Sequence, residues 1–180
     1  MKLKVPIALV FVCLLLQHCD EPNEKEENSL TSTTKQVHVD TASYAILPYD
    51  TSNQWIFKEV NVTSLSTTEI VKIEELLQTA ISEYNVEQKK EYDSITKRHP
   101  EYDLKQHNFI IELTRYKRQC FPIINSKGEK EVWVNCFCNT WDENWRKSLV
   151  FVFDGGNCYF NLKINLTKQT FYELSVNGEA

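Results

Sequence analysis

Between Ile70 and Tyr84, apolar side chains recur at steps of three and four: Ile70, Ile73, Leu77, Ala80, Ile81 and Tyr84, with Leu76 widening the stripe. That period marks one face of an α-helix. Ser66-Thr67-Thr68-Glu69 stands just before it as a capping box, a hydroxyl followed three residues on by a carboxylate. The pattern predicts a helix from about Thr67 to Asn85. From Glu87 to Lys105 the chain turns polar, with Pro100 inside. The helix is expected to continue for about two turns there and to give way to a loop after Pro100.

From Arg115 onward the period changes to two, and five strands can be read. Earlier, Ser43 to Leu47 predicts a short first strand that Pro48 ends, and Trp55-Ile56-Phe57 is an apolar cluster of no clear type. Parity tests each hairpin, because a one-residue slip moves every side chain to the other face. A four-residue turn, Asn125 to Gly128, sets Ile123 opposite Lys130 and Phe121 opposite Val132. Phe121, Ile123, Val132, Val134, Cys136 and Cys138 then share one face, and Trp133, Asn135 and Phe137 the other. A two-residue turn at Gly155-Gly156 pairs Phe153 with Cys158, Phe151 with Phe160 and Leu149 with Leu162, all apolar. A three-residue loop, Thr167 to Gln169, pairs Leu166, Ile164 and Leu162 with Thr170, Tyr172 and Leu174.

The expected class is therefore α+β. One long amphipathic helix packs on a curved antiparallel sheet of four to six strands, since each apolar face would otherwise meet water. By architecture alone this is similar to cystatin-like and NTF2-like rolls, and such folds host many functions.

The chain's start changes where this domain is expected to work. Lys2 and Lys4 precede an apolar run of 12 residues, Val5 to Leu16, followed by Gln17-His18-Cys19 and an acidic stretch from Asp20 to Glu27. A spanning helix needs about 20 apolar residues, so the run reads as an export signal. The segment resembles bacterial lipoprotein signals, with Leu16 three before the cysteine, although His18 stands where a small residue is usual. Lipidation at Cys19 is expected, with a signal over 1–18, a flexible acidic tether over 19–39 and a single domain over 40–180. The tether is rich in Glu, Asn, Ser and Thr and too poor in apolar residues to fold.

The formal net charge is −5, and it falls to −7 once Lys2 and Lys4 leave with the signal. That balance argues against nucleic acid, which needs clustered Lys and Arg. The basic run Arg115-Tyr116-Lys117-Arg118 reads as the polar face of a strand. Glu74, Glu75, Glu83 and Glu87 read as the solvated face of the helix. His38, His99 and His107 lie near no nucleophile motif. Asp154-Gly155-Gly156-Asn157 has oxygens for a cation, but a turn needs the same residues. No metal or cofactor is expected: Cys136 and Cys138 have CxC rather than CxxC spacing. Buried thiols are the simplest reading, with a cross-strand bond from Cys158 to Cys136 or Cys138 as the alternative. Asn61-Val62-Thr63 and Asn165-Leu166-Thr167 are glycosylation sequons only in a eukaryotic setting.

The functional lead is the stretch Asn139 to Lys147, where Trp141 and Trp145 flank Asp142 and Glu143. Connecting segments are normally polar. Trp141, Asp142 and Trp145 therefore form either an aromatic binding surface or a loop folded back on the core.

Tyr116-Lys117-Arg118-Gln119, Asn125 to Lys130, Asp154 to Phe160 and the ending Val176-Asn177-Gly178-Glu179-Ala180 carry a further likeness. Over roughly residues 66–180 the chain resembles a family of uncharacterised lipoproteins of Bacteroidetes-type bacteria, which implies no activity and no site residues. The expected function is that of a lipid-anchored envelope protein, outer-membrane and open to the surface, whose non-catalytic domain binds an unknown protein, peptide or glycan. The alternatives are a cystatin-like or PepSY-like protease inhibitor and an envelope hydrolase. The cystatin pattern Gln-x-Val-x-Gly is not met at Gln119-Cys120-Phe121-Pro122-Ile123.

Overall fold

Ser66 opens the helix as its residue types require. Its hydroxyl accepts from the Glu69 amide at 3.3 Å, and the Glu69 carboxylate accepts from the Ser66 amide at 2.8 Å. In the computed structural model, which describes residues 39–178 apart from Trp141, this helix (α1) runs Thr67–Arg98. The lipidation candidate Cys19, the signal, nearly all of the tether and Trp141 lie outside the described residues. The described residues belong to one compact unit, 36–180.

α1 is thirteen residues longer than the apolar period implies. Beyond Asn85 only Val86, Tyr92 and Ile95 are apolar or aromatic, too few to make a stripe that signals a helix there. Glu, Gln and Lys are strong helix formers, and Lys90–Glu87 at 2.6 Å and Lys89–Asp93 at 3.2 Å join neighbouring turns. Pro100 lies just past the His99 cap and stops the helix.

Six strands form one sheet: β1 (Tyr44–Ile46), β2 (Asn61–Val62), β3 (Lys117–Ile124), β4 (Lys130–Phe137), β5 (Tyr159–Asn165) and β6 (Thr170–Val176). The order is β1-β3-β4-β5-β6, with β2 also on β3. The class is α+β as the sequence implies, but the sheet is open and mixed, because β1 runs parallel to β3. Pro122 fits inside β3 for a reason of edges. The Cys120 carbonyl accepts from Leu47, so two residues on the Pro122 nitrogen faces the same side. There β1 has ended and β2 has not begun, and its missing N–H costs no ladder bond.

All three predicted hairpin registers need correction. The β3–β4 loop holds five residues, not four, because Ile124 pairs with Lys130. The Asn125 side chain accepts from the amides of Lys127 and Glu129, with Gly128 at φ 77°, and this absorbs Glu129 into the turn. The one-residue shift puts Cys120 inside with Val132, Val134 and Cys136, and Phe121 and Ile123 outside with Trp133. The Gly155-Gly156 hairpin does not form. Residues 149–153 are not a strand, and β5 pairs with β4 instead, Val134 opposite Leu162 and Cys136 opposite Phe160. The local hairpin would have left β4 without its second neighbour. The β5–β6 loop has four residues, with Asn165 opposite Thr170 and Ile164 opposite Phe171. An irregularity opposite Leu162, with Glu173 at φ 51°, then brings Val176 opposite Phe160.

α1 packs on the inner face of this sheet. Ile73, Leu77, Ala80 and Ile81 meet Cys120, Val132, Val134, Cys136, Phe160, Leu162 and Ile164 in one cluster, all nearly or fully excluded from water. The outer face is apolar too, and irregular chain must cover it.

Candidate functional site

Phe121, Ile123, Trp133 and Phe137 project from the outer face and are buried. Two irregular segments cover them. Residues 47–60 lay Leu47, Tyr49, Ile56 and Phe57 over Phe121, Ile123 and Trp133. Residues 139–158 bring Trp145 and Val150 against Phe137, Tyr159 and Ala45.

A buried amide holds the second segment down. Gln119 is fully buried in β3, and its Nε2 donates to the carbonyls of Trp145 (2.5 Å) and Ser148 (2.6 Å). Its Oε1 accepts from the Val150 amide at 3.0 Å and from Asn135 Nδ2 at 3.1 Å, and Asn135 donates in turn to the Val150 carbonyl. Irregular backbone needs such partners when it is buried. The far end is closed covalently, because Cys138 and Cys158 form a disulfide across the continuation of the β4–β5 ladder. Of the two partners left open for Cys158, Cys138 is the one bonded. Cys136 and Cys120 are free and buried.

This arrangement gives Trp145 the folded-back reading, while Trp141 lies outside the described residues. Trp145 is only 7% exposed and lies edge-on to Phe137 at 5.8 Å. The Arg146 guanidinium sits over its ring at 4.3 Å, and the Lys117 ammonium at 5.0 Å. Trp145 is therefore a folded-back anchor rather than a surface. Asp142 serves the loop's own geometry, its carboxylate accepting from the Asn144 amide at 2.7 Å. Arg146 also donates to the carbonyls of Ala42 and Tyr44, fastening β1 and the chain before it to this segment.

Three exposed aromatics lie elsewhere, at the seam where the two covering segments meet. Trp55 from the first and Phe151 from the second have ring centroids 4.9 Å apart, and Phe153 stands 4.9 Å beyond Phe151. Trp55 also rests edge-on against the buried Trp133 at 5.4 Å. Their exposures are 54% for Trp55, 42% for Phe151 and 87% for Phe153. This ridge borders Asn161, which accepts from the Trp133 indole at 3.0 Å, and Lys163, whose ammonium lies 5.0 Å over Phe57. The sequence signal was present in Trp55-Ile56-Phe57 and in the run 149–153. Hairpin parity hides it, because a Gly155-Gly156 turn would set Phe151 and Phe153 on the inner face.

The buried polar groups are a second place to look for chemistry. Glu74 is buried rather than solvated, correcting the expectation for that helix face. It pairs with the equally buried Arg118 at 3.1 Å and accepts from the Tyr44 hydroxyl. Arg118 also donates to the Tyr116 carbonyl, so this residue of the basic run points inward. Burial, reinforced by the Glu74 charge, pushes the Tyr44 hydroxyl far above its ordinary range. Burial likewise pushes the Cys120 thiol up to about 12 and raises Cys136 further. Thiols held in that form are poor nucleophiles. His99 stacks on Tyr102 at 4.8 Å, and His107 lines an open groove of about 490 Å³ beside α1 with Asn85, Lys89 and Glu112. Both Asn85 side-chain atoms are spent on the Ile111 backbone. Among the described residues, no three His, Cys, Asp or Glu are grouped to hold a metal ion. Asp154 is next to Gly155 and Gly156, both at positive φ, in the turn that leads into β5. Comparison with family models, curated proteins and solved structures finds no match.

Proposed function

We propose that this chain is a lipid-anchored bacterial envelope protein, of the Bacteroidetes-type lipoprotein kind, whose small domain binds through an aromatic surface and performs no catalysis. The observation that carries the binding reading is the ridge of Trp55, Phe151 and Phe153. A folding chain gains by burying such side chains, each worth about 1.5–3 kcal/mol. Three of them left side by side in water mark a contact surface. This ridge replaces Trp145 and Asp142 as the proposed site. The binding reading is favoured over chemistry at Glu74 or at the thiols of Cys120 and Cys136 because those groups are otherwise engaged. Glu74 is committed to Arg118 and Tyr44, and both free thiols are buried and protonated. The Cys138–Cys158 disulfide supports an exported, oxidising setting. The anchor reading rests on the apolar run ending at Cys19 and the acidic stretch behind it.

Two experiments test the two halves. In detergent phase separation, the wild-type chain should enter the detergent phase and the Cys19→Ala variant should stay aqueous. A wild-type chain that is aqueous, with an unmodified mature N-terminus, overturns the anchor. Replacing Phe153, 87% exposed, with serine should change stability by no more than about 0.5 kcal/mol, as at other exposed positions. A large loss would make the ridge a part of the core and remove the surface.

A further inference from the structure

We infer that the Trp55–Phe151–Phe153 ridge docks on the bilayer surface to which the chain is anchored; this names the partner of the proposed site and rests on the anchor reading. Area comes first. An aromatic side chain presents about 150–250 Å², so the exposed fractions of 54%, 42% and 87% leave on the order of 350 Å² of aromatic surface. A stable complex between free proteins needs about 800 Å² on each side. The ridge is too small to hold a partner that arrives from solution. It is large enough for one that is already held nearby, because tethering converts the second contact into an intramolecular event.

The chain's path supplies that proximity. About 20 residues separate Cys19 from the first described residue, Val39, and a random coil of that length would have a root-mean-square span of about 25 Å. Arg146 holds the carbonyls of Ala42 and Tyr44, and Arg146 belongs to the segment that carries Phe151 and Phe153. The first described part of the chain is thus fastened to the covering segment that presents Phe151 and Phe153.

Ring geometry separates a bilayer from a glycan. A pyranose face stacks on coplanar rings, but here the interplanar angles are 59° and 84°. A jagged edge of tilted rings suits the disordered boundary between headgroups and acyl chains, where Trp and Phe partition. Phe153, the most exposed of the three, has no polar atom to direct toward a specific acceptor. Lys58, Glu59 and Asp154 flank the ridge residues in sequence, and the chain without Lys2 and Lys4 carries −7. Docking is therefore apolar and does not require anionic lipid.

The full lipidated chain can be reconstituted in phosphatidylcholine–phosphatidylethanolamine vesicles with bromine placed either near the headgroup end or near the methyl end of the acyl chains. Headgroup-end bromine should quench tryptophan emission more than methyl-end bromine. That share should vanish in Trp55→Phe, and it should fall in the Phe151→Ser, Phe153→Ser variant while detergent partition stays unchanged. If the wild type partitions into detergent yet Trp55 is not quenched, the inference fails and the anchor stands. If the wild type is aqueous, both fail. If the wild type dimerises in detergent and the double serine variant does not, the ridge belongs to a second copy and bilayer docking is overturned.

Discussion

Glu74 shows what a single residue can hide. Its type suggests a solvated face, but its position is four after Ile70 and three before Leu77, inside the apolar stripe. A charge there needs a partner, and Arg118 supplies it from β3 at 3.1 Å, with both side chains under 10% exposed. Removing one member of such a pair costs about 3–5 kcal/mol, because the other stays buried and uncompensated. Arg118→Met should lose that much in urea unfolding, and Glu74→Leu combined with it should recover most of the loss. An Arg118→Met variant as stable as the wild type would mean that the pair is not held in solution. Glu129 acts at the opposite end of the sheet. Lys168 at 2.7 Å, together with the Asn125 and Asn165 amides, lowers its carboxyl from 4.5 to about 2. A depressed carboxyl contributes stability above its unfolded pKa and loses it as pH falls through the folded value. The melting temperature should therefore drop between about pH 4.5 and pH 2, and Glu129→Gln should flatten that part of the profile. An unchanged slope in the variant would remove Glu129 from the hairpin's acid response.

Whole elements were legible where one pattern repeats without interruption. The first half of α1 and its cap follow from period and capping box alone. Its second half is expected for about two turns past Glu87, and the run on to Arg98 is not, because Val86, Tyr92 and Ile95 are too few for a stripe and leave propensity and ion pairs to speak for its end. A helix there predicts that Glu91→Pro costs about 3 kcal/mol, or frays every turn beyond it, in contrast to a loop. Amide exchange that is equally slow over residues 92–98 in the variant would contradict the long helix. The strands were found but their registers were not, since a one-residue difference decides each. Glu129 drawn into one turn and Glu173 at positive φ in another strand are both local backbone events with no periodic trace. Gly155 and Gly156 misled in a more useful way. Both have positive φ, at 83° and 58°, as a hairpin turn would require, yet they lead into a single helical turn before β5. Valine at both positions should still cost about 2–4 kcal/mol from the backbone alone. At Gly155 an added Cβ would also come within 2.7 Å of the Tyr159 ring. A loss in that variant reports the positive φ rather than the strand pairing once expected. An unchanged melt would mean that the turn relaxes.

At the level of the molecule, the sheet is apolar on both faces, and among the described residues only the inner one has an α-helix to cover it. That is why a single-faced meander was the wrong picture, and why residues 47–60 and 139–158 cannot be free loops. Period-two reading detects which residues share a face. It cannot detect an irregular layer, because Gln119 and Asn135 hold that layer through side-chain bonds to backbone carbonyls and amides. The disulfide is the other fastener, and its effect can be isolated. Cys138 and Cys158 are 20 residues apart, and they close the very segment that buries Phe137 and carries the aromatic ridge. Cross-linking a loop of that length contributes about 3 kcal/mol, chiefly by restricting the unfolded chain. Replacing both cysteines with alanine should lower the urea midpoint accordingly. Reductant should lower the wild-type midpoint to the same value and leave the variant unmoved, since Cys120 and Cys136 are already free. Near-ultraviolet circular dichroism of the variant should retain the Trp145 signal if Gln119 alone can hold the layer, and lose it if the covalent closure is required. Equal midpoints for oxidised and reduced wild type would show that the bond does not form, and the covering layer would then rest on Gln119 and Asn135 alone.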